Sequence, residues 1–297
     1  MKKISVQVRR ILVIACLMVF GGLLQPQASA ATTSYTALFD NNTAYSDTVK
    51  SGSYYFRHDQ GTSSDTLMMS DSKNGTFVAT PVTGSAVSNG TQACYVRSNT
   101  LYRYTYATKK ETKLKKLSAK GDESYVTVTG YANRIYLNKY SFDQWKLWTY
   151  SYNLNSKVFS KVKDDCSIND RYGSYVVGVK EYRSDIAPTT LTLYKIDSST
   201  GKLKRVKILT KHGHQGVFVG GKLYYVDYPS YQTKLMREAV LYRCNASGSG
   251  RKKLGTFSRS NQYTEVMVSD ITSKNCIVYY NGSKYRYTYS TKKQKKL

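Results

Sequence analysis

One motif returns through most of the chain: an alternating strand, a turn rich in Ser, Thr, Asn or Gly, then a basic strand ending in Leu or Val. Its copies are LYRYTYATKKETKLKKL (Leu101–Leu117), LWTYSYNLNSKVFSKV (Leu147–Val162), LTLYKIDSSTGKLKRVKIL (Leu191–Leu209), LYRCNASGSGRKKL (Leu241–Leu254) and KYRYTYSTKKQKKL (Lys284–Leu297), with a weaker one at LMMSDSKNGTFVATPV (Leu67–Val82). Anchoring each copy on the second residue of its Leu-Tyr pair gives Met68, Tyr102, Trp148, Tyr194, Tyr242 and Tyr285, spaced by 34, 46, 46, 48 and 43 residues. A fixed period of this size means one supersecondary unit used repeatedly, each unit too small to bury its own faces.

Ahead of most anchors lies a second segment rich in Val, Ile and Tyr: Gln92–Arg97, Asn133–Tyr140, Gly173–Tyr182, Gly221–Asp227 and Asn275–Asn281. A further short run precedes several of these, as at Ser124–Gly130 and Thr264–Ser269. Alternation with period two, β-branched and aromatic enrichment, and turn residues between runs are strand signatures, and no stretch shows sustained helical periodicity. The expected fold class is all-β. Three to four antiparallel strands in about 45 residues is the size of a propeller blade, so a single β-propeller of six blades is expected over 31–297, with five or seven blades the variants left open by the short first spacing. Apolar residues on both faces of Leu223-Tyr224-Tyr225-Val226 fit a sheet flanked on both sides. A β-sandwich or a pair of small barrels is the alternative architecture.

These repeats resemble the Tyr-rich repeats of secreted bacterial β-propeller domains, in the style of TolB-like and YWTD-type propellers. The likeness covers Thr36 to Leu297, and Leu147-Trp148-Thr149-Tyr150 approaches a YWTD strand without its acidic residue. It implies an exported propeller used chiefly for binding and brings no catalytic residues with it.

The first thirty residues read as an export signal. Lys2, Lys3, Arg9 and Arg10 precede the apolar run Ile11 to Leu24, and Ala28 and Ala30 supply small side chains before a cut after Ala30. Fourteen apolar residues rise ~21 Å as a helix, short of a ~30 Å hydrocarbon core, and nothing later is apolar for long enough to span a membrane. A secreted or cell-surface location is therefore expected. Cys94, Cys166, Cys244 and Cys276 fall in different repeats, which favours free, buried thiols over disulfides.

Charge is the strongest chemical signal: 45 Lys+Arg against 19 Asp+Glu, a formal net charge of +26. Basic residues gather at repeat ends, with Lys115, Lys116, Arg251, Lys252 and Lys253 the candidate contacts for a polyanion. Lys on an exposed edge strand also blocks edge-to-edge pairing, a structural role that competes with this one. Outside the membrane the matching partners are an anionic cell-wall polymer, a glycan or a protein; nucleic acid is not expected. A second candidate surface is formed by the longer connections SFDQWK (141–146), RSDIAPTT (183–190) and DYPSYQTKLMREA (227–239). Expected on one face of the ring, they carry Phe142, Trp145, Tyr228 and Tyr231, ring systems suited to stacking on sugars or gripping a peptide. No nucleophile elbow, zincin or phosphate-loop motif occurs; His212-Gly213-His214 could bring two imidazoles to a metal but has no third ligand and reads as a polar loop or strand entry between blades, and no cofactor is expected. The leading function is a non-catalytic binding module. An exported lyase or glycosidase, using carboxylates such as Asp143, Asp185 or Asp227, is the alternative, and a structural wall component is a third.

Overall fold

The structure is a computed structural model that describes residues 34–39, 47–59, 65–141, 143–144, 146–180, 189–229, 237–258, 266–280 and 282–297. All regular elements among them are strands. The chain opens with β1 (Thr36–Ala37). It continues through a sheet of β2 (Val49–Ser51), β3 (Tyr54–His58), β4 (Thr66–Ser70) and β5 (Val78–Thr83). The next sheet contains β6 (Val87–Ser88), β7 (Gln92–Arg97), β8 (Thr100–Thr105) and β9 (Lys110–Lys116), with β1 added beside β6. A third has β10 (Ser124–Tyr131), β11 (Arg134–Ser141), β12 (Lys146–Asn153) and β13 (Phe159–Asp164). Seven strands follow: β14 (Ser167–Tyr172), β15 (Tyr175–Lys180), β16 (Thr189–Ile196), β17 (Leu203–Val219), β18 (Lys222–Asp227), β19 (Glu238–Asn245) and β20 (Lys252–Ser258). The last sheet is β21 (Val266–Ser269), β22 (Asn275–Tyr280), β23 (Ser283–Thr288) and β24 (Lys293–Lys296).

The seven-stranded sheet is two units joined by one long strand. Residues of β17 up to Gly213 pair with β16, and residues from Gly213 onward pair with β18. The described residues thus form six successive four-stranded antiparallel meanders. All six sequence anchors fall on the third strand of their units. In four of the first five units a register shift falls beside that anchor, as between Leu101 and Tyr102, Leu193 and Tyr194, and Leu241 and Tyr242, and in the third it falls one residue further on, between Thr149 and Tyr150. A bulge at that point sharpens the local right-handed twist, which lets each sheet coil outward.

Burial follows the position of a strand in its unit. The second strand QACYVR is buried on both faces through Ala93, Cys94, Tyr95 and Val96, whereas the fourth strand β9 is largely exposed. Alternation then distributes side chains to two neighbours. Ala93 and Tyr95 join Phe56, Leu67 and Met69 of the first unit, while Cys94 and Val96 join Tyr125, Ile135 and Leu137 of the third. Further clusters join units three and four (Tyr136 with Ile168 and Tyr194), four and five (Leu193 with Tyr225), and five and six (Phe257 with Val278 and Tyr287). Sheets stacked flank to flank in series, four of them with their first strands around one cavity, make of the described residues an all-β propeller of six units. Cys94, Cys166, Cys244 and Cys276 are all free and buried.

At the first junction Gly52, at φ +62, lies so close to the next unit that a Cβ would sit 1.8 Å from the carbonyl oxygen of Gly90. Gly173, at φ +57, has open space around the same position. Both Gly→Ala changes incur left-handed strain, but Gly52→Ala must also displace backbone. Chemical denaturation should find Gly52→Ala the costlier of the two by roughly 1–2 kcal/mol or more. Equal losses would show that the junction yields without strain.

Burial also pushes the phenols of Tyr106, Tyr194 and Tyr225 up to about 12 and the thiols of Cys94 and Cys276 to about 12. These groups are neutral when protonated, so above pH ~9–10 the unfolded chain loses their protons first and stability falls with rising pH. Below that range their contribution is fully present. A denaturation midpoint that drops steeply between pH 9 and 12, together with tyrosinate absorbance, is expected; a flat profile would contradict the burial.

Candidate functional site

Two cavities stand out. The first, about 380 Å³, is central, bounded by first strands of four consecutive units: Ser85 beside β6, Thr127 and Thr129 of β10, Ser167 and Arg171 of β14, and Phe218 of β17. Its polar groups are turned to holding units together. Thr127 Oγ1 donates to the Ser85 carbonyl. Asn138 Nδ2 donates to Ser167 Oγ (2.8 Å) and the Ile168 carbonyl (2.9 Å), and its oxygen accepts from the Ile168 amide. The Phe218 amide donates to Asp170 Oδ2 at 2.6 Å.

Arg171 engages every nitrogen of its guanidinium here. Nε donates to Thr129 Oγ1 (2.7 Å), Nη1 to the Gly173 carbonyl (2.8 Å), and Nη2 to Ser34 Oγ (2.7 Å) and the Tyr35 carbonyl (3.2 Å). The segment Ser34–Phe39 is thereby strapped across the axis. Its β1 pairs with β6, and Tyr35 exchanges backbone bonds with Gly130 of β10 at 3.1 and 2.8 Å.

The second cavity, about 450 Å³, is a groove between units two and three. Its floor is aromatic. Tyr150 of β12 and Phe159 of β13 stack with centroids 5.1 Å apart and planes 8° apart, and Tyr125 of β10 stands edge-on to both. The Tyr125 hydroxyl donates to the Ser118 carbonyl, fixing the 117–123 connection over the groove. One wall is a nearly buried ion pair, Lys139 Nζ to Glu123 Oε2 at 2.7 Å, with the ammonium 5.5 Å from the Tyr125 ring centroid and 5.1 Å from that of Trp148. The same Glu123 oxygen accepts from the Lys120 amide. The Lys139 hydrogen bond holds the Glu123 carboxyl below the usual range. Lys115, Lys116 and Lys120 line the rim, and no ion pair among the described residues engages them.

Of the predicted polyanion contacts, Lys115 and Lys116 therefore meet an aromatic groove. Lys252 and Lys253 lie exposed on β20, in the fifth unit. Arg251 is different: its guanidinium carbon sits 3.7 Å from the Tyr242 centroid and 5.8 Å from that of Tyr225, stacked on its own unit's ring pair. Tyr228 corrects the expectation of an exposed stacking residue. It is 2% exposed within the cluster between units five and six, because its amide donates to the His212 carbonyl and keeps the chain on the sheet past β18. Phe142, Trp145 and Tyr231 lie outside the described residues, as does Asp185. Asp143 belongs to the turn after β11, and Asp227 of the fifth unit accepts from Thr210 Oγ1 on the fourth-unit half of β17. Lys120, Lys139, Tyr150 and Phe159 were missed by sequence reasoning. The aromatic alternation Trp148, Tyr150, Tyr152 was the available signal. Among the described residues no group of three or more His, Cys, Asp or Glu is gathered for a metal, and no helix is long and apolar enough to cross a membrane.

No family model matches the sequence, and no curated protein matches it. Solved structures do. An oligogalacturonate lyase in complex with manganese is similar at TM-score 0.50 and 11% identity, over 89% of this chain and 77% of that one. TolB from Acinetobacter baumannii is similar at TM-score 0.39 and 11% identity, over 99% and 70%. A chain of a nidogen/laminin complex is similar at TM-score 0.39 and 11% identity, over 71% and 77%. At this identity the likeness to the lyase bears on fold alone, and it agrees with the topology: the chain is a β-propeller.

Arg171 is the residue on which the strap depends. Arg171→Ala should cost roughly 1–3 kcal/mol, since it leaves the part-buried Thr129 hydroxyl and Tyr35 carbonyl without their charged donor. It should also open the 34–39 segment to limited proteolysis at protease levels that leave the parent chain intact. Unchanged protection would show that the β1 pairing holds the segment without Arg171.

Proposed function

We propose that this chain is an exported, non-catalytic propeller that binds anionic polymers of the cell envelope. The observation that carries the reading is the placement of positive charge. Fourth strands β9, β20 and β24 present Lys115, Lys116, Lys252, Lys253, Lys293, Lys295 and Lys296 at the exposed outer edges of three units. With a net charge of +26, such edges attract a polyanion by long-range field and hold it by short contacts. The charged, apolar and small-residue regions of 1–30 support delivery to the outside with cleavage after Ala30, where wall polymers and acidic glycans are the abundant anions.

The mature chain should be retained on purified anionic wall fractions at roughly 50 mM salt and released progressively as the Debye length shortens from ~14 Å toward ~4 Å. Reversing Lys252, Lys253, Lys295 and Lys296 to Glu should weaken retention and flatten its salt dependence without shifting the denaturation midpoint much, because these side chains are exposed. Equal retention on a neutral glucan, or retention indifferent to salt, would refute polyanion binding.

A further inference from the structure

We propose that the groove between units two and three is a subsite for one acidic sugar residue, a pyranose bearing a carboxylate or phosphate, within an anionic glycan. This deepens the polyanion reading and rests on it for the nature of the ligand. Edge lysines suffice to attract any polyanion, and edge protection alone explains their presence on β9. Neither role requires an aromatic floor beneath them. Here the floor exists: Tyr150 and Phe159 are half-buried, stacked and braced edge-on by Tyr125, so their orientation is set before a ligand arrives. A rigid ring surface of this kind suits the apolar C–H face of a pyranose, and a volume of about 450 Å³ accommodates one such ring with part of its neighbours.

The electrostatics select for an anionic sugar. The one carboxylate lining the groove, Glu123, is already matched by Lys139, whose side chain is 11% exposed, and by the Lys120 amide. Lys115 and Lys120 are therefore left as net positive charge at the mouth. Lys116 donates to the Ser98 carbonyl at 3.3 Å, which holds it close to the strand with two ammonium hydrogens to spare. An acid group on a ring lying over Tyr150 and Phe159 meets these ammonium groups, and the sugar hydroxyls meet the Lys139–Glu123 pair. A phosphate chain without rings gains the charges and loses the stacking. A neutral glycan gains the stacking and leaves the lysines unanswered.

Calorimetric titration of the mature chain with four probes separates these contributions: a tetraglucuronate, a phosphorylated maltotetraose, plain maltotetraose and a tetramer of glycerol phosphate. At least one of the two acidic-ring probes should bind about tenfold or more tightly than both the neutral and the ring-free tetramers, and the preferred one identifies the acid group. Lys115→Gln with Lys116→Gln should weaken that binding about tenfold, whereas Lys73→Gln with Lys274→Gln, at exposed positions outside the groove, should leave it unchanged. Phe159→Leu keeps an apolar packing group and should lose several-fold. If that variant does not fold, protection of Lys115 and Lys116 from acetylation by bound probe, read by mass spectrometry, decides in its place. Ring-free and acidic-ring probes binding alike, no binding of any probe, or indifference to the Lys115/Lys116 change would overturn the subsite. Wall retention that survives while the groove variants behave as parent would sink the groove alone. Tight, Lys115-dependent probe binding without salt-sensitive wall retention would sink the envelope reading alone.

Discussion

The fold depends on a face-burial constraint that no single unit satisfies. A four-stranded meander whose second strand carries apolar side chains on both faces exposes two hydrophobic faces, and each needs a different partner. In Leu223-Tyr224-Tyr225-Val226 the pleat sends Leu223 and Tyr225 into the cluster with unit four, and Tyr224 and Val226 into the cluster with unit six. Val176 and Val177 divide in the same way between units three and five. At ~25 cal/mol per Å² of apolar surface, neither face of such a strand is stable in water, so folding one unit is coupled to the next. The repeat period, the doubly apolar second strands and the serial clusters are three expressions of that coupling.

Apolar packing supplies attraction without fixing the angle between sheets, and the polar contacts near the axis do that. Asn138 binds the backbone of Ile168 in both directions, Asp170 accepts from Phe218, and Ser51 pairs with Ser88 at 2.7 Å. These bonds are directional and sit where the sheets converge, so small errors in their geometry would translate into large displacements at the rim. The central cavity is polar for this reason. Arg171 is matched by Thr129, Gly173, Ser34 and Tyr35, which take up four of its five N–H groups. The axis is a structural joint, and the freer chemistry lies between blades and at their outer strands.

Much of the architecture was legible because its signals are local. Gln92–Arg97 is a strand at the residues where alternation and β-branching placed it, and the six anchors mark six third strands. Features needing a partner far along the chain were not legible. Thr36–Ala37 is too short to alternate, and its pairing with Val87 and Ser88 requires the second unit. His212-Gly213-His214 reads as a polar loop or strand entry between blades, and only the pairing shows that one long strand runs through it and is shared by units four and five. Tyr228 follows a strand on a connection that reads as exposed, yet a backbone bond to His212 carries it into a core that only the sixth unit completes. Arg251 registers in sequence as charge, although two tyrosines already occupy its flat face.

The groove illustrates why site chemistry is harder to read than fold. Its lysines come from the end of one repeat and the connection after it, its rings from the next, and the two meet only because successive sheets stack with the fourth strand of one beside the flank of the other. Within each repeat both elements have ordinary roles: Lys115 guards an edge, and Phe159 caps a hairpin against Tyr150. Together they place positive charge over an oriented aromatic surface, with the intervening carboxylate neutralised by Lys139. An ion pair this enclosed pays a desolvation penalty that an apolar pair would avoid, so its contribution to stability is small at best. What it does achieve is to hold the 117–123 connection open beside the rings while removing the negative charge that would otherwise oppose an anion entering there.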